Sequence, residues 1–446
     1  MPYVSITRAS FDEEITSFHI VDILEYLNSL LKGFLQAFTT CRGYSYYART
    51  KTLQPEFYQG LLDRGWRRSG TLLYKPDLRK SCCPQYTIRL DSHQFRATKD
   101  QRQVVNRFNK YVLGDAYTKE AARLHPKSRE QAKKRNTEFD LEERVHEGET
   151  QKVKTPPEPA HAFTVTLETD EFTEEKYALF KNYQRIVHHE PPDRISKGGF
   201  QNFLCSSPLP RSTTTIDGKT KHLGSYHQCY RLDGELVAVG VLDLLPKCVS
   251  AVYFMYHESV HSHGFGKLGA MREIALAKEE GYQYWYAGFY IHTCVKMRYK
   301  GDYSPQYILD PETYNWILFD EHLREKFDER KYVSETQTAS ESSDPSIQNS
   351  DPNNTPDEDS SALYKADSKP IFETSMPGLL SKSDILTKSP LDHVKIRIGQ
   401  SVHETNELVS WESDSVGDVD SLKGIIAELV SAVGVRLAGE MVVYFR

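Results

Sequence analysis

The sequence predicts an α+β protein made of two folded units, and three observations carry that prediction. Short apolar runs with strand-like alternation are interspersed with runs at helical spacing. One stretch reads as strand (249–256), glycine-rich turn (257–266), helix (267–280) and strand (282–290), a compact α/β unit. The composition shifts twice: 140–159 is charged and proline-rich, and 334–369 is Ser, Asp, Asn, Pro and Glu with few apolar anchors. A length of 446 residues fits roughly two to three domains. The expected division is a divergent lead segment at 1–40, read as a wrongly assigned start, a smaller α/β unit at 41–139, a linker at 140–160, and a larger unit at 161–330. A disordered insert at 331–372 and an extension at 373–446 follow.

Composition narrows the function classes. Hydrophobic residues make up 39% and charged residues 26%, the mix of a globular protein with a polar excess. The formal net charge is −6, so any nucleic-acid contact must be a local basic patch. No apolar run approaches the roughly 18 residues of a membrane span. Asp12, Glu13 and Glu14 precede the apolar face of 24–38, where a signal peptide needs positive charge. Seven cysteines without paired spacing argue for a reducing compartment.

Taken in order, Ile20, Leu24, Leu27, Leu31, Phe34 and Phe38 recur at helical spacing. Residues 44–47 read as strand, and 55–62 as a helix with Phe57, Tyr58, Leu61 and Leu62 on one face. Strands at 71–74 and 85–90 flank a loop carrying Cys82-Cys83-Pro84. Residues 98–136 are a basic helical run with Lys133-Lys134-Arg135. Strand 163–167 precedes a helix at 173–188 with Thr173 as N-cap and Tyr177, Phe180 and Ile186 inward. Asp233-Gly234 between the apolar runs 225–232 and 236–245 marks a hairpin. A helix at 422–437 and a strand at 441–445 close the chain.

The stretch 281–314 organises the rest. Its strand ends in a loop that interleaves Lys296, Arg298 and Lys300 with Tyr299 and Tyr303, cations beside aromatic faces that suit a nucleic-acid backbone and an unstacked base. A solvated loop over a tyrosine core is the bland alternative. Asp243, inside the apolar run 239–245, must be paired or hydrogen-bonded. It is a candidate to hold a cationic substrate group or act as a base, or it is a structural ion pair. His227 and Tyr256 are candidate proton shuttles, with Glu273 a further candidate, against packing roles for each. Arg64, Arg67 and Arg68 around Trp66 form a cationic cluster suited to a carboxylate or phosphate. Cys82 and Cys83 are two of the four ligands a metal cluster needs, or ordinary thiols.

The strand–turn–helix–strand unit, with His261-Ser262-His263-Gly264-Phe265-Gly266 at its turn, resembles N-acetyltransferase-type folds, in which that turn holds a pyrophosphate and Arg or Gln stands where His261 does. A more specific resemblance rests on several motifs in order. They are Asp63-Arg64-Gly65-Trp66-Arg67-Arg68-Ser69-Gly70, Tyr74-Lys75-Pro76, and Cys82-Cys83-Pro84 through Arg89. In the second unit they are Gly224-Ser225-Tyr226-His227-Gln228, Ala238 through Asp243, and Gly288 through His292 with Lys296 to Gly301. These resemble the eukaryotic, fungal-type arginyl-tRNA–protein transferases over roughly 41–325.

The resemblance implies a GNAT-type, acetyltransferase-like catalytic domain that takes aminoacyl-tRNA in place of acetyl-CoA. It implies transfer of arginine from Arg-tRNA to proteins beginning with Asp, Glu or oxidised Cys, marking them for ubiquitin-dependent degradation. Expected partners are arginyl-tRNA, proteins with acidic N-termini and ubiquitin-ligase machinery, with no membrane; the expected location is the cytoplasm, with the nucleus second. On this reading Asp243 holds the arginyl guanidinium, and Asp243→Lys abolishes transfer while leaving the fold intact. His227 or Tyr256 moves the proton. Arg67, Arg68, Lys296, Tyr299 and Lys300 bind substrate, and Lys133, Lys134, Arg135 and Tyr303 contact tRNA. The chemistry requires no cofactor. The resemblance also implies that the N-terminal domain can carry an iron–sulfur cluster, held by a Cys-x-x-Cys pair and the adjacent cysteines, here Cys82 and Cys83. This sequence has no Cys-x-x-Cys, leaving Cys41 as the other cysteine of that unit. Rival classes are a coenzyme-A-dependent acetyltransferase and a degenerate protein that binds tRNA or N-termini without turnover.

Overall fold

The computed structural model describes residues 3–5, 44–216, 219–336 and 369–444. The helix expected at 20–38, Cys41 and most of the insert lie outside them. Two mixed sheets organise the rest. The first is seven-stranded, built from β1 (Tyr3–Ser5), β2 (Ser45–Thr52), β3 (Arg67–Ser69), β4 (Leu72–Pro76) and three strands from the end of the chain. The second contains β5 (Tyr86–Asp91), β6 (Phe163–Thr169), β7 (Ser212–Ile216), β8 (Lys219–Leu232), β9 (Glu235–Leu245), β10 (Cys248–Tyr256), β11 (Tyr284–Tyr290), β12 (Gln306–Leu309) and β13 (Trp316–Leu318). The late strands β14 (Lys395–Ile398), β15 (Ser401–Glu404) and β16 (Val442–Tyr444) give the first sheet the order β15-β14-β16-β1-β2-β4-β3. The second runs β13-β12-β5-β11-β10-β9-β8-β6, with β7 paired to β8.

Local chemistry sets the elements. Asp233 and Gly234 both adopt positive φ, as the tight β8–β9 turn requires. Every residue of β9 after Glu235 is buried, so the run is a central strand rather than an alternating one. Thr173 caps the helix Glu174–Ile186 by accepting the Lys176 N–H at 3.2 Å. That helix buries Leu179 and Phe180, whereas Ile186, expected inward, is exposed. Helix Phe265–Glu279 crosses from β10 to β11. It packs so closely on β10 that a Cβ on Gly269 would lie 2.2 Å from the Phe254 ring.

Three expected boundaries do not match the sheets. Residues 140–160 are no free linker: Leu141 and Val145 are buried, and Arg272 pairs with Glu149 at 2.5 Å. Strand β5, from the expected first unit, lies between β11 and β12 of the second sheet. The C-terminal extension completes the first sheet, and the buried Trp66 indole donates to the Ala432 carbonyl at 3.2 Å. The described edges of the expected insert are also anchored, since Tyr86 Oη accepts the Val333 N–H at 2.7 Å and Glu428 accepts the Ile371 N–H at 2.9 Å.

Candidate active site

The site follows from how β10 and β11 separate. They pair in parallel over three residues, Cys248–Ser250 against Tyr284–Tyr286. Beyond that point β10 stays with β9 and β11 stays with β5. Each strand is irregular where they part, between Ala251 and Tyr253 on β10 and between Tyr286 and Phe289 on β11. Gly288 sits in the β11 bulge at φ +81°, a conformation that disfavours any side chain. A cavity of about 420 Å³ fills the gap. Its walls come from both parted strands, from the first sheet and from the 295–300 loop.

The bulge gathers cations from two parts of the chain. Arg67, at the start of β3, donates to the Gly288 carbonyl at 3.2 Å and lies 5.1 Å from the Phe289 ring centroid. Lys300 donates to the next carbonyl, Phe289, at 2.9 Å. Lys296 joins them from the short helix Val295–Arg298. Among the described residues, none of these three has a carboxylate within ion-pair distance, so the cavity holds uncompensated positive charge. Burial, with Arg67 nearby, lowers the Lys300 ammonium to about 8.

Glu273 is the one carboxylate in the described lining. It is 3% exposed, and its Oε2 accepts the Trp285 indole N–H at 2.7 Å. Burial pushes its carboxyl up to about 7, with the indole bond and Lys300 acting in the opposite direction. Tyr299 and His188 also line the cavity. Burial, then Lys296, lowers His188 to about 4, so its imidazole is neutral at pH 7.

The predicted residues divide sharply. Arg67, Arg68, Lys296, Tyr299 and Lys300 all line the cavity. Arg68, however, is held by Asp243: its Nε donates to Oδ2 at 2.8 Å and its Nη2 to Oδ1, with a further bond to Ser225 Oγ at 3.2 Å. This fully buried pair ties β3 of the first sheet to β9 of the second. Asp243 is therefore not presented to a guanidinium from outside. His227 is fully buried, its Nε2 against the Leu204 carbonyl at 3.0 Å and its imidazole lowered to about 4 by burial and then Lys176, so it is no proton shuttle for the cavity. Tyr256 stands outside the lining, beside His261 at 3.4 Å and edge-on to Tyr183.

Tyr303, expected to stack on a base, is 1% exposed and packs on Trp285. Lys133 and Lys134 are exposed on helix Arg129–Thr137, outside the cavity, while Arg135 pairs with Glu147 at 2.5 Å. The Cys82 and Cys83 Sγ atoms are 3.7 Å apart, and among the described residues no group of three or more His, Cys, Asp or Glu side chains is placed to hold a metal. The two thiols alone do not make the donor set of an iron–sulfur cluster.

Tyr183 and Tyr253 were not anticipated as cavity residues, nor was His188. Tyr183 carried a usable signal: it follows Phe180 by three positions, on the face that helix Glu174–Ile186 turns inward.

Comparison with known proteins finds relatives for two stretches of the chain. Residues 36–103 match the family model for the N terminus of arginine-tRNA-protein transferase, and 175–310 match that for its C terminus. Arginyl-tRNA–protein transferase 1 of Drosophila melanogaster is 28% identical over 62% of this chain and 78% of its own length. The Dictyostelium discoideum protein of the same name is 23% identical over 88% of this chain and 92% of its own. An aspartate/glutamate leucyltransferase from Pseudomonas fluorescens is 28% identical over 58% of this chain and 82% of its own.

Proposed function

The chain belongs to the arginyl-tRNA–protein transferase family, and from that premise we propose that its cavity joins arginine from Arg-tRNA to the α-amine of proteins beginning with Asp, Glu or oxidised Cys. One observation carries the acidic half of this reading: Arg67, Lys296 and Lys300 converge on the cavity without carboxylate partners among the described residues. An acidic first side chain supplies the missing charge.

The same cations assist the chemistry. An α-amine titrates near 7.7–8.0 in model peptides and attacks only when neutral. Neighbouring positive charge disfavours the ammonium form, so the cavity delivers a neutral nucleophile near pH 7. The amine nitrogen forms the amide bond to the arginyl carbonyl as the ester C–O bond breaks, and the amine proton ends on the released ribose hydroxyl. The ester is already activated, so holding the two groups together accounts for much of the rate. No step calls for a redox group. A cluster at Cys82 and Cys83 would need Cys41, the one cysteine of this sequence outside the described residues, and at least one further ligand.

The parting of β10 and β11 around helix Phe265–Glu279 supports a GNAT-type, acetyltransferase-like catalytic fold, with aminoacyl-tRNA entering where an acyl carrier would. Lys133 and Lys134 on their exposed helix offer a surface for the tRNA backbone. We assign the product to ubiquitin-dependent degradation, with action in the cytoplasm and also the nucleus. The strand–helix–strand order alone equally suits a coenzyme-A-dependent acetyltransferase, and calorimetric titration with acetyl-CoA separates the two. The decisive assay supplies tRNA charged with labelled arginine and peptides beginning Asp, Glu or Ala. Label moving to the Asp and Glu peptides supports the reading; label on none of them sinks it.

A further inference from the structure

The cations of the cavity account for the acidic acceptor but leave the arginyl side chain without a partner, since Asp243 is closed off by Arg68. We infer that Glu273 selects arginine, its carboxylate receiving the guanidinium of the arginyl group at the inner wall of the cavity. The inference rests on the transferase reading above.

Three features of the cavity converge on it. Glu273 is the one carboxylate among the described lining residues, so a cation entering the cavity has a single acidic destination. Strand β9 closes behind it: a Cβ on Gly240 would lie 3.3 Å from Glu273 Oε1, so the carboxylate is approached from the cavity side. Phe254 and Trp285 lie alongside it, and a guanidinium both forks onto carboxylates and stacks on aromatic faces. The Trp285 indole fixes Oε2 at 2.7 Å, which orients the carboxylate before substrate arrives.

The two substrates and the cavity are then mirror images in charge. The donor brings a guanidinium and meets Glu273, while the acceptor brings a carboxylate and meets Arg67, Lys296 and Lys300. Each pairing also discourages the reverse arrangement, because a guanidinium beside Arg67, Lys296 and Lys300 is repelled.

Citrulline is the discriminating probe, since its ureido group has the shape of a guanidinium without the charge. The purified chain is given tRNA charged with arginine or with citrulline, and an Asp-initiated peptide. Wild type is expected to favour arginine by about 100-fold or more in kcat/KM. Glu273→Gln keeps the oxygen that accepts from Trp285, and is expected to bring the two donors within about threefold of each other while unfolding at a midpoint no lower than that of wild type. Glu273→Asp retains the charge, so it keeps the arginine preference with a raised KM, and it stands in if Glu273→Gln does not fold. An unchanged preference in Glu273→Gln overturns the inference, as does equal loss in both variants, which marks a packing effect. Wild-type arginyl transfer is read first: its absence removes the transferase reading and this inference together, whereas transfer with an unaltered preference in Glu273→Gln removes this inference alone.

Discussion

Asp243 and Glu273 are both buried carboxylates in the second half of the chain, one on β9 and one on the helix that crosses from β10 to β11. Asp243 is answered in full by Arg68 and serves as a bolt between two sheets. Glu273 has an indole N–H as its fixed partner and borders open space. A buried acid that is paired holds the fold; one left without a fixed cation is available to a ligand. Burial alone does not distinguish these roles, but the partner does.

The largest expected effect breaks the first half of that comparison. Asp243→Asn strands the Arg68 guanidinium in the core, and a denaturant titration should record about 3–5 kcal/mol of lost stability. Asp243→Lys places two cations there and should unfold the protein, in contrast to the intact fold expected from sequence. Replacing both partners, Arg68→Met with Asp243→Leu, should recover most of the loss. A single variant as stable as wild type would remove the bolt from the account.

The Glu273 half predicts the opposite sign. Burial pushes its folded carboxyl up to about 7, above the ordinary value of 4.5. Between those values the folded protein holds a proton that the unfolded chain releases, so wild-type stability falls as pH rises through that window. Glu273→Gln lacks this penalty. It should gain on wild type between pH 4.5 and 7 by up to about 3 kcal/mol, read as a pH series of unfolding midpoints. Parallel pH curves for the two proteins would show that Glu273 is not the group responsible.

Smaller effects sharpen the boundary between the cavity and its surroundings. Lys300 is charged below about 8 and neutral above, so the preference for Asp over Ala acceptors should decline as pH rises through 8, by about tenfold at most. Acceptor ratios measured from pH 6.5 to 9 decide this, and a flat profile assigns the selection to Arg67 and Lys296. Lys133→Ala with Lys134→Ala should weaken tRNA binding by only a few-fold and flatten its salt dependence by roughly one to two units of slope. An unchanged salt slope would place the RNA elsewhere.

Much of the local structure was legible because it depends on near neighbours in sequence. The Asp233-Gly234 turn, the Thr173 cap and helix Pro55–Leu62 each follow from a few adjacent residues. The partnership of the strands was not legible. Nothing within 86–91 says that it will insert between β11 and β12, and nothing near 442–444 says that it will complete a sheet begun in the first residues. Arg67, Lys296, Tyr299 and Lys300 stood out as cations and aromatics on motifs. Asp243 stood out for the same reason that misled: a carboxylate in an apolar strand gives one signal whether its partner is a substrate or an arginine 175 residues away. Glu273 was less visible, because one acid in a helix carries no pattern until the strands beside it part.

The central claim is that acidic N-termini are chosen by the cations bound to the Gly288 and Phe289 carbonyls. The most direct measurement is the ratio of arginyl transfer to Asp- and Ala-initiated peptides, for wild type and for Arg67→Met with Lys300→Met, under conditions where both proteins are folded. The account predicts a high ratio in wild type that falls close to one in the variant, mainly through a raised KM for the Asp peptide. A variant that stays folded and keeps the wild-type ratio would contradict it.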